Sequence, residues 1–239
     1  MRGAPLQVAP AKSADSRQIA DAESARKWRR LIRRIILTAL ALGIWFWTQS
    51  LIAQRAAPAA GVGDALHTLT AGLNSYFYNS PTAANALLIL SSALIDGLGL
   101  FLLGRWLFGP SVRPFLGLVT LLALRQIMQA ICALPAPPNM IWHYPGFPSA
   151  LVTYNVGNDF FFSGHTAIAV FGGIELARLG KRWLTVAAVI IVLFEIAAVL
   201  ILRAHYTMDV FAGILAALCV ARFCTVVSPR VDNCLSPAQ

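Results

Sequence analysis

Two histidines stand at the thresholds of apolar runs. His165 lies in "FFFSGHT" at 160–166, and His205 in "RAHYTMDV" at 203–210. Imidazole is the side chain best suited to move a proton, or to attack an electrophile, near neutral pH. Asp209 follows His205 by four residues, so on a helix the two share a face. A carboxylate there can accept a proton from one imidazole nitrogen, which fixes the tautomer. The other nitrogen is then left as a nucleophile or a base. Ser163 can cap the helix that His165 opens. Gly164 lets a ligand approach the backbone, where helix N-terminal N–H groups favour a phosphate oxygen. Set against this, a lone histidine in an apolar segment is often a hydrogen-bonded packing residue, and one HxxxD is a weak pattern.

Whether the two histidines can meet depends on the elements that carry them. Of 239 residues, 58% are hydrophobic and only 12% charged, and the mean hydropathy is +0.68. A soluble domain carries about twice that charge, so the composition is that of an integral membrane protein. Runs of about 20 apolar residues are long enough to cross a bilayer. Six are expected: 35–53, 83–107, 115–134, 160–179, 183–202 and 206–227. The fold class is therefore all-α, polytopic, with six transmembrane helices. Three regions follow: a basic tail at 1–34, a membrane catalytic domain at 35–228 and a C-terminal tail at 229–239.

Lys and Arg set the orientation. Nine of the 19 precede residue 35. With that end in the cytoplasm, Arg105, Arg113, Arg178, Lys181, Arg182, Arg222 and Arg230 join them, against Arg55 and Arg203 outside. Both termini are then cytoplasmic, and both histidines lie at the outer face. Ionisable residues in this setting are functional by default. The net charge of +9 reads as a flank against anionic headgroups, not as a nucleic-acid surface. Cys132, Cys219, Cys224 and Cys234 form no metal pattern. In the first outer loop Leu66, Leu69, Leu73, Tyr76 and Phe77 recur at helical spacing. They suit either a helix in the outer interface or an ordinary packed loop helix. The stretch 134–149, rich in proline and aromatics, is expected to be irregular, with Trp142 and Tyr144 at the interface. Asp96 and Arg125 should lie near mid-membrane, where a structural ion pair is the simplest account. Glu175 should meet Arg178 or Lys181 at the cytoplasmic end.

"DFFFSGHT" at 159–166 and "AHYTMDV" at 204–210 resemble the two catalytic motifs of sphingomyelin synthases, a branch of the type 2 phosphatidic acid phosphatase superfamily. "LIDGLGLFLLGRWLF" at 94–108 is similar to the synthases' second span, with Asp96 at its acidic position, and "LRQIMQAICALPAPP" at 124–138 to their third. The resemblance covers roughly residues 90–225. It implies that His205 attacks phosphorus, that Asp209 orients it, and that His165 protonates the leaving alkoxide and then deprotonates the incoming hydroxyl. It makes Asp96, Arg125, Asp159, Ser163, Gly164 and Tyr206 candidates for substrate binding. Arg203, where animal synthases have another histidine, would be a substitute contact to phosphate. No metal or cofactor is implied.

The phosphatases' upstream arginine is Val199 here. Their basic motif is approached only by "RWLFGPSVRP" at 105–114, which is one residue too long and on the wrong face. The expectation is a lipid phosphotransferase moving a headgroup from a glycerophospholipid to ceramide or diacylglycerol. Hydrolysis by the same intermediate is the alternative, and a non-catalytic transporter or scaffold a third. Its partners would be the two lipids and the bilayer, with a homo-oligomer left open and no nucleic acid. A bacterial inner membrane with a periplasmic site is the expected location.

Overall fold

The computed structural model describes residues 12–54, 62–154 and 160–235. The regular elements among them are eight helices: α1 (Lys12–Ala53), α2 (Ala65–Leu69), α3 (Ala71–Tyr78), α4 (Pro81–Phe108), α5 (Arg113–Ile131), α6 (Gly164–Ala177), α7 (Arg182–Ile201) and α8 (Thr207–Leu235). Proline near the start of α4 and of α5 suits a position whose N–H has no helical partner. Gly180, at φ 74°, turns the chain between α6 and α7 in a conformation that glycine adopts without strain. The chain divides into two compact units, with the boundary between Leu40 and Ala41 inside α1. In the first, Lys27 pairs with Glu23 one turn earlier at 2.9 Å. The remaining description concerns the second.

Among the described residues, five helices are long and apolar enough to cross a membrane: Asp21–Ala53, Pro81–Phe108, Arg113–Ile131, Arg182–Ile201 and Thr207–Leu235. The protein is an integral membrane protein. α7 shows the inverted pattern of such a helix. Trp183, Val186, Val189, Ile190 and Leu193 are exposed, while Ala188, Glu195 and Ala198 are buried. Large apolar side chains therefore face lipid, and small or polar ones face protein.

The expected fourth span, 160–179, is not among the five. Its helix, α6, has only 14 residues, or about 21 Å at 1.5 Å per residue, against a hydrocarbon core of about 30 Å. Phe160–Ser163 is a non-helical lead-in instead, held by the Ser163 N–H donating to the Asp209 carbonyl at 3.0 Å. Ten of the 14 residues of α6 are buried, because α4, α5, α7 and α8 all pack against it. α6 is thus the central helix of its unit. The others match their expected spans more closely, although α8 runs on through Pro229 to Leu235. Asp232 holds that extension, accepting from the Val112 N–H at 2.6 Å and the Ser111 hydroxyl at 2.7 Å.

Glu175 reaches the expected Arg178, but only as its second partner. Its nearer partner is the buried Arg113, Nε to Oε1 at 2.7 Å, with the half-exposed Arg178 more distant at 3.8 Å. Arg113 opens α5 next to the end of α6, so it reaches the carboxylate without leaving the interior. Between α1 and α4 the apolar stripe forms two short helices. Leu66, Leu69, Leu73 and Tyr76 are exposed, whereas polar His67 and Asn74 are buried. Those four exposed side chains face away from the protein, as an interfacial helix requires, while Phe77 of the same stripe is half-buried and packs against the core beside Ala84 and Leu88.

Candidate active site

The lead-in to α6 and the turn from α7 to α8 bring the two histidines to one cavity. His165 and His205 both line it, with Arg125, Gly164, Trp142, Phe160 and Ala204 among its other walls. The space is small, about 30 Å³, which is room for about one water. A phosphodiester therefore enters only by displacing side chains around it.

Each functional side chain has its own support. Ser163 caps α6, its hydroxyl oxygen accepting from the Thr166 N–H at 3.3 Å and the Thr166 hydroxyl at 3.0 Å. That leaves His165 in the first turn, 7% exposed. The edge of its ring meets the face of Trp142 or the reverse, centroids 5.2 Å apart at 82°. Its Nε2 is buried without a hydrogen-bond partner among the described residues, and it lies on the cavity wall. Trp142 is itself fixed, its Nε1–H donating to the Thr153 carbonyl at 2.9 Å and its ring against Tyr154 at 5.1 Å. Tyr154 in turn is hydrogen-bonded to Ser92; burial raises its phenol above the ordinary value. So Trp142, expected only as an interfacial anchor, is also a wall of the cavity.

His205 Nδ1 lies 2.8 Å from the Phe160 carbonyl. The carbonyl can only accept, so Nδ1 carries the proton and Nε2 keeps its lone pair. Asp209 Oδ2 is farther, at 3.8 Å, and accepts instead from the Tyr206 N–H at 2.8 Å. The tautomer expected from Asp209 is therefore set by a backbone carbonyl, with the carboxylate as a nearby charge. The reason is geometric: His205 precedes α8, so the one-turn spacing to Asp209 is not helical. Two close approaches hold the parts together. A Cβ on Gly213 would lie 2.8 Å from the Ser163 carbonyl oxygen, and one on Gly164 would lie 3.0 Å from Arg125 Nε. Arg125 Nε donates to the Phe162 carbonyl at 3.1 Å.

The other expected site residues are placed differently. Among the described residues, Asp96 and Arg125 are not paired with each other. Both Asp96 oxygens accept backbone N–H groups, from Ala150 and Leu151, at 2.9 Å each. Asp96 thus fixes the loop whose Leu151 and Val152 line the cavity, and does not line it itself. Arg203 also points elsewhere, its Nη2 donating to the His67 carbonyl at 2.5 Å. Tyr206 is fully buried, its hydroxyl donating to the Pro135 carbonyl at 3.1 Å. Asp159 lies outside the described residues. His67 and Asp64, absent from the expected set, contact the turn that carries His205. The signal for Asp64 was its place before "ALHTL" as a helix N-cap; nothing in the spacing of His67 linked it to residue 205.

Residues 63–226 match the AtPDCT1/2 family model. The chain belongs to that family. The match runs from the residue before Asp64 to the interior of α8, and so contains every wall of the cavity but Trp45. The chain is also similar to phosphatidylcholine:diacylglycerol cholinephosphotransferase 1 of Arabidopsis thaliana, 24% identical over 172 residues. That alignment covers 72% of this chain and 54% of the relative, so the chain spans about half the length of the curated relative it matches. No solved structure matches.

Proposed function

We propose that the protein is a lipid headgroup phosphotransferase that moves phosphocholine from phosphatidylcholine to the hydroxyl of a diacylglycerol, through a phosphohistidine on His205. The observation that carries the reading is the pair of imidazoles on one cavity, with the His205 proton held on Nδ1 by a carbonyl. The name of the Arabidopsis relative favours diacylglycerol over ceramide as acceptor.

In the first half-reaction, Nε2 of His205 attacks phosphorus. The bond to the glycerol oxygen breaks, and His165, entering the step protonated against the bound phosphodiester anion, gives that oxygen a proton, releasing diacylglycerol. Asp209, 3.8 Å from Nδ1, offsets the positive charge that develops on the phosphorylated ring. Arg125, on the same cavity wall, faces the phosphoryl oxygens as their charge builds, where fixed positive charge contributes most. In the second half-reaction His165 takes the proton of the incoming hydroxyl. The new oxygen–phosphorus bond forms, the nitrogen–phosphorus bond breaks, and both histidines return to their starting states. The exchange conserves the number of phosphodiester bonds and consumes no water.

The cavity-bearing ends of α6 and α8 face away from the cytoplasm in this proposal, because Arg105, Arg178, Lys181 and Arg182 cluster at the other end. A bacterial periplasm is the expected side.

The test is purified protein in phosphatidylcholine vesicles with an isotope-labelled diacylglycerol, read by lipid mass spectrometry. Labelled phosphatidylcholine is expected. Free phosphocholine in its place would make the protein a hydrolase, and no product with any donor would leave it without the proposed activity. Parallel arms with ceramide and with phosphatidylethanolamine define acceptor and headgroup.

A further inference from the structure

We propose that α2 and α3 clamp the turn carrying His205, with Asp64 and His67 as positioning residues for that histidine. The inference rests on the assignment of His205 as nucleophile.

Within the turn from α7 to α8, the Arg203 N–H donates to the Leu200 carbonyl at 3.3 Å and the Tyr206 N–H to Asp209 Oδ2 at 2.8 Å. The N–H groups of Ala204 and His205 share one acceptor, the Val199 carbonyl, at 2.9 and 3.4 Å. Arg203 sits at φ 56°, a conformation that a side chain with a Cβ adopts only when its surroundings impose it. Those surroundings are supplied largely by α2 and α3. Asp64 Oδ2 accepts the Thr207 N–H at 2.5 Å, and Oδ1 accepts the Thr207 hydroxyl at 2.6 Å. The same Oδ1 caps α2, accepting from Leu66 and His67 N–H at 3.0 and 3.1 Å. One carboxylate thereby joins the starts of two helices. Burial would raise it, but the Thr207 and His67 hydrogen bonds hold it below the usual carboxylate range. It stays ionised, and so able to accept all four bonds.

His67 makes the second link. Its Nε2–H donates to the His205 carbonyl at 2.9 Å. Arg203 donates back to the His67 carbonyl, closing a reciprocal pair across 136 residues of sequence. The His67 ring stacks on Tyr206, centroids 5.5 Å apart at 29°. Burial keeps this imidazole below its ordinary pKa, in the neutral form with its proton on Nε2. From α3, the Asn74 side-chain amide donates to the Ile201 carbonyl at 2.8 Å and the Asn139 carbonyl at 3.2 Å. Residues 201, 203, 205, 206 and 207 are each gripped from this hairpin of helices. The polarity of α2 agrees: its buried side chain is His67, while Leu66 and Leu69 are exposed. That polar face is buried against the turn and has no apolar core to join.

The consequence is catalytic. The Phe160 carbonyl orients the His205 ring, but the position of its backbone, and hence of Nε2 over the cavity, is set by this clamp. A displacement of about 1 Å at a reacting atom costs on the order of 10²-fold in rate.

Asp64→Asn, His67→Ala, His67→Gln and His205→Ala are compared in the headgroup-exchange assay, with melting temperature recorded for each. Asn still caps α2 as well as Asp does, but turns an amide N–H towards the Thr207 N–H. It therefore breaks the clamp while leaving the helix start. Asp64→Asn and His67→Ala are expected to lower kcat by about 10- to 100-fold with KM within about twofold and melting temperature little changed. Gln can reach the same carbonyl with its amide N–H, so His67→Gln is expected to recover most of kcat. Full kcat in both Asp64→Asn and His67→Ala beside an inactive His205→Ala would overturn the clamp and leave the site assignment standing. Losses that follow melting temperature, equal in His67→Ala and His67→Gln, would overturn it too, since only folding would then be at stake. Activity retained in His205→Ala would instead remove the assignment on which the clamp rests.

Discussion

At His205 the identity of the proton acceptor decides what neighbouring substitutions do. In a triad where a carboxylate fixes the tautomer, its replacement by an amide costs about 10⁴-fold in kcat. Here the Phe160 carbonyl accepts the Nδ1 proton, and Asn at 209 leaves that carbonyl in place. Asp209→Asn should therefore lower kcat by only about 10- to 100-fold, through the lost charge beside the phosphorylated ring, an effect of roughly 1.4–2.8 kcal/mol. Steady-state kinetics on the purified variant checks this; a loss near 10⁴-fold would return the tautomer to Asp209. Gly164 offers a second test. A Cβ there would meet Arg125 Nε at 3.0 Å and Cδ at 3.3 Å, so the guanidinium must shift while the helix start loses nothing. Gly164→Ala is expected to reduce kcat/KM several-fold, with a melting temperature no lower than that of the parent protein. A drop in melting temperature with unchanged kinetics would show that Arg125 is not displaced from a working position.

Among the elements, α6 is where sequence reasoning met its limit. The cap was legible in "SGHT", because Ser163 acts within one turn, although the helix was expected to start near 160. The helix length was overestimated, because Phe160–Ser163 is apolar but not helical, and an apolar run reads the same whether lipid or four other helices cover it. Asp96 was misjudged for a related reason. Its position in α4 was legible, but its partners, the Ala150 and Leu151 N–H groups, are backbone and leave no trace in residue type. The same holds for the Phe160 carbonyl on His205. Arg113 with Glu175 was hidden because the pair joins two elements 62 positions apart. That pair has a measurable consequence. Arg113→Met should destabilise the protein by about 3–5 kcal/mol, because it strands a buried carboxylate. Adding Glu175→Leu should restore most of that stability. Unfolding in detergent followed by denaturant titration is the measurement. Gly213→Ala, which drives a Cβ to 2.8 Å from the Ser163 carbonyl oxygen, should part α8 from the α6 lead-in and abolish exchange even where the protein remains folded.

For the whole molecule, the central claims are a membrane-embedded site on one face and a covalent intermediate within it. Orientation is tested in a cysteine-free background, since Cys132, Cys219, Cys224 and Cys234 are natural thiols. Ala150→Cys and Lys181→Cys place single thiols on exposed positions beside the cavity loop and before α7. Only the first should react with an impermeant reagent added to intact cells. The reverse pattern would put both histidines on the cytoplasmic side. The intermediate is tested most directly by trapping phosphate on the protein. A p-nitrophenyl phosphodiester has a leaving group that needs no proton, whereas a natural phospholipid releases an alkoxide that does. With the aryl donor, His165→Ala should form and accumulate an acid-labile, base-stable label, because no base remains to activate the acceptor. With phosphatidylcholine it should form far less, and His205→Ala should form none with either donor. Label persisting in His205→Ala, or equal loss with both donors in His165→Ala, would contradict the assignment of nucleophile and acid–base on which this account stands.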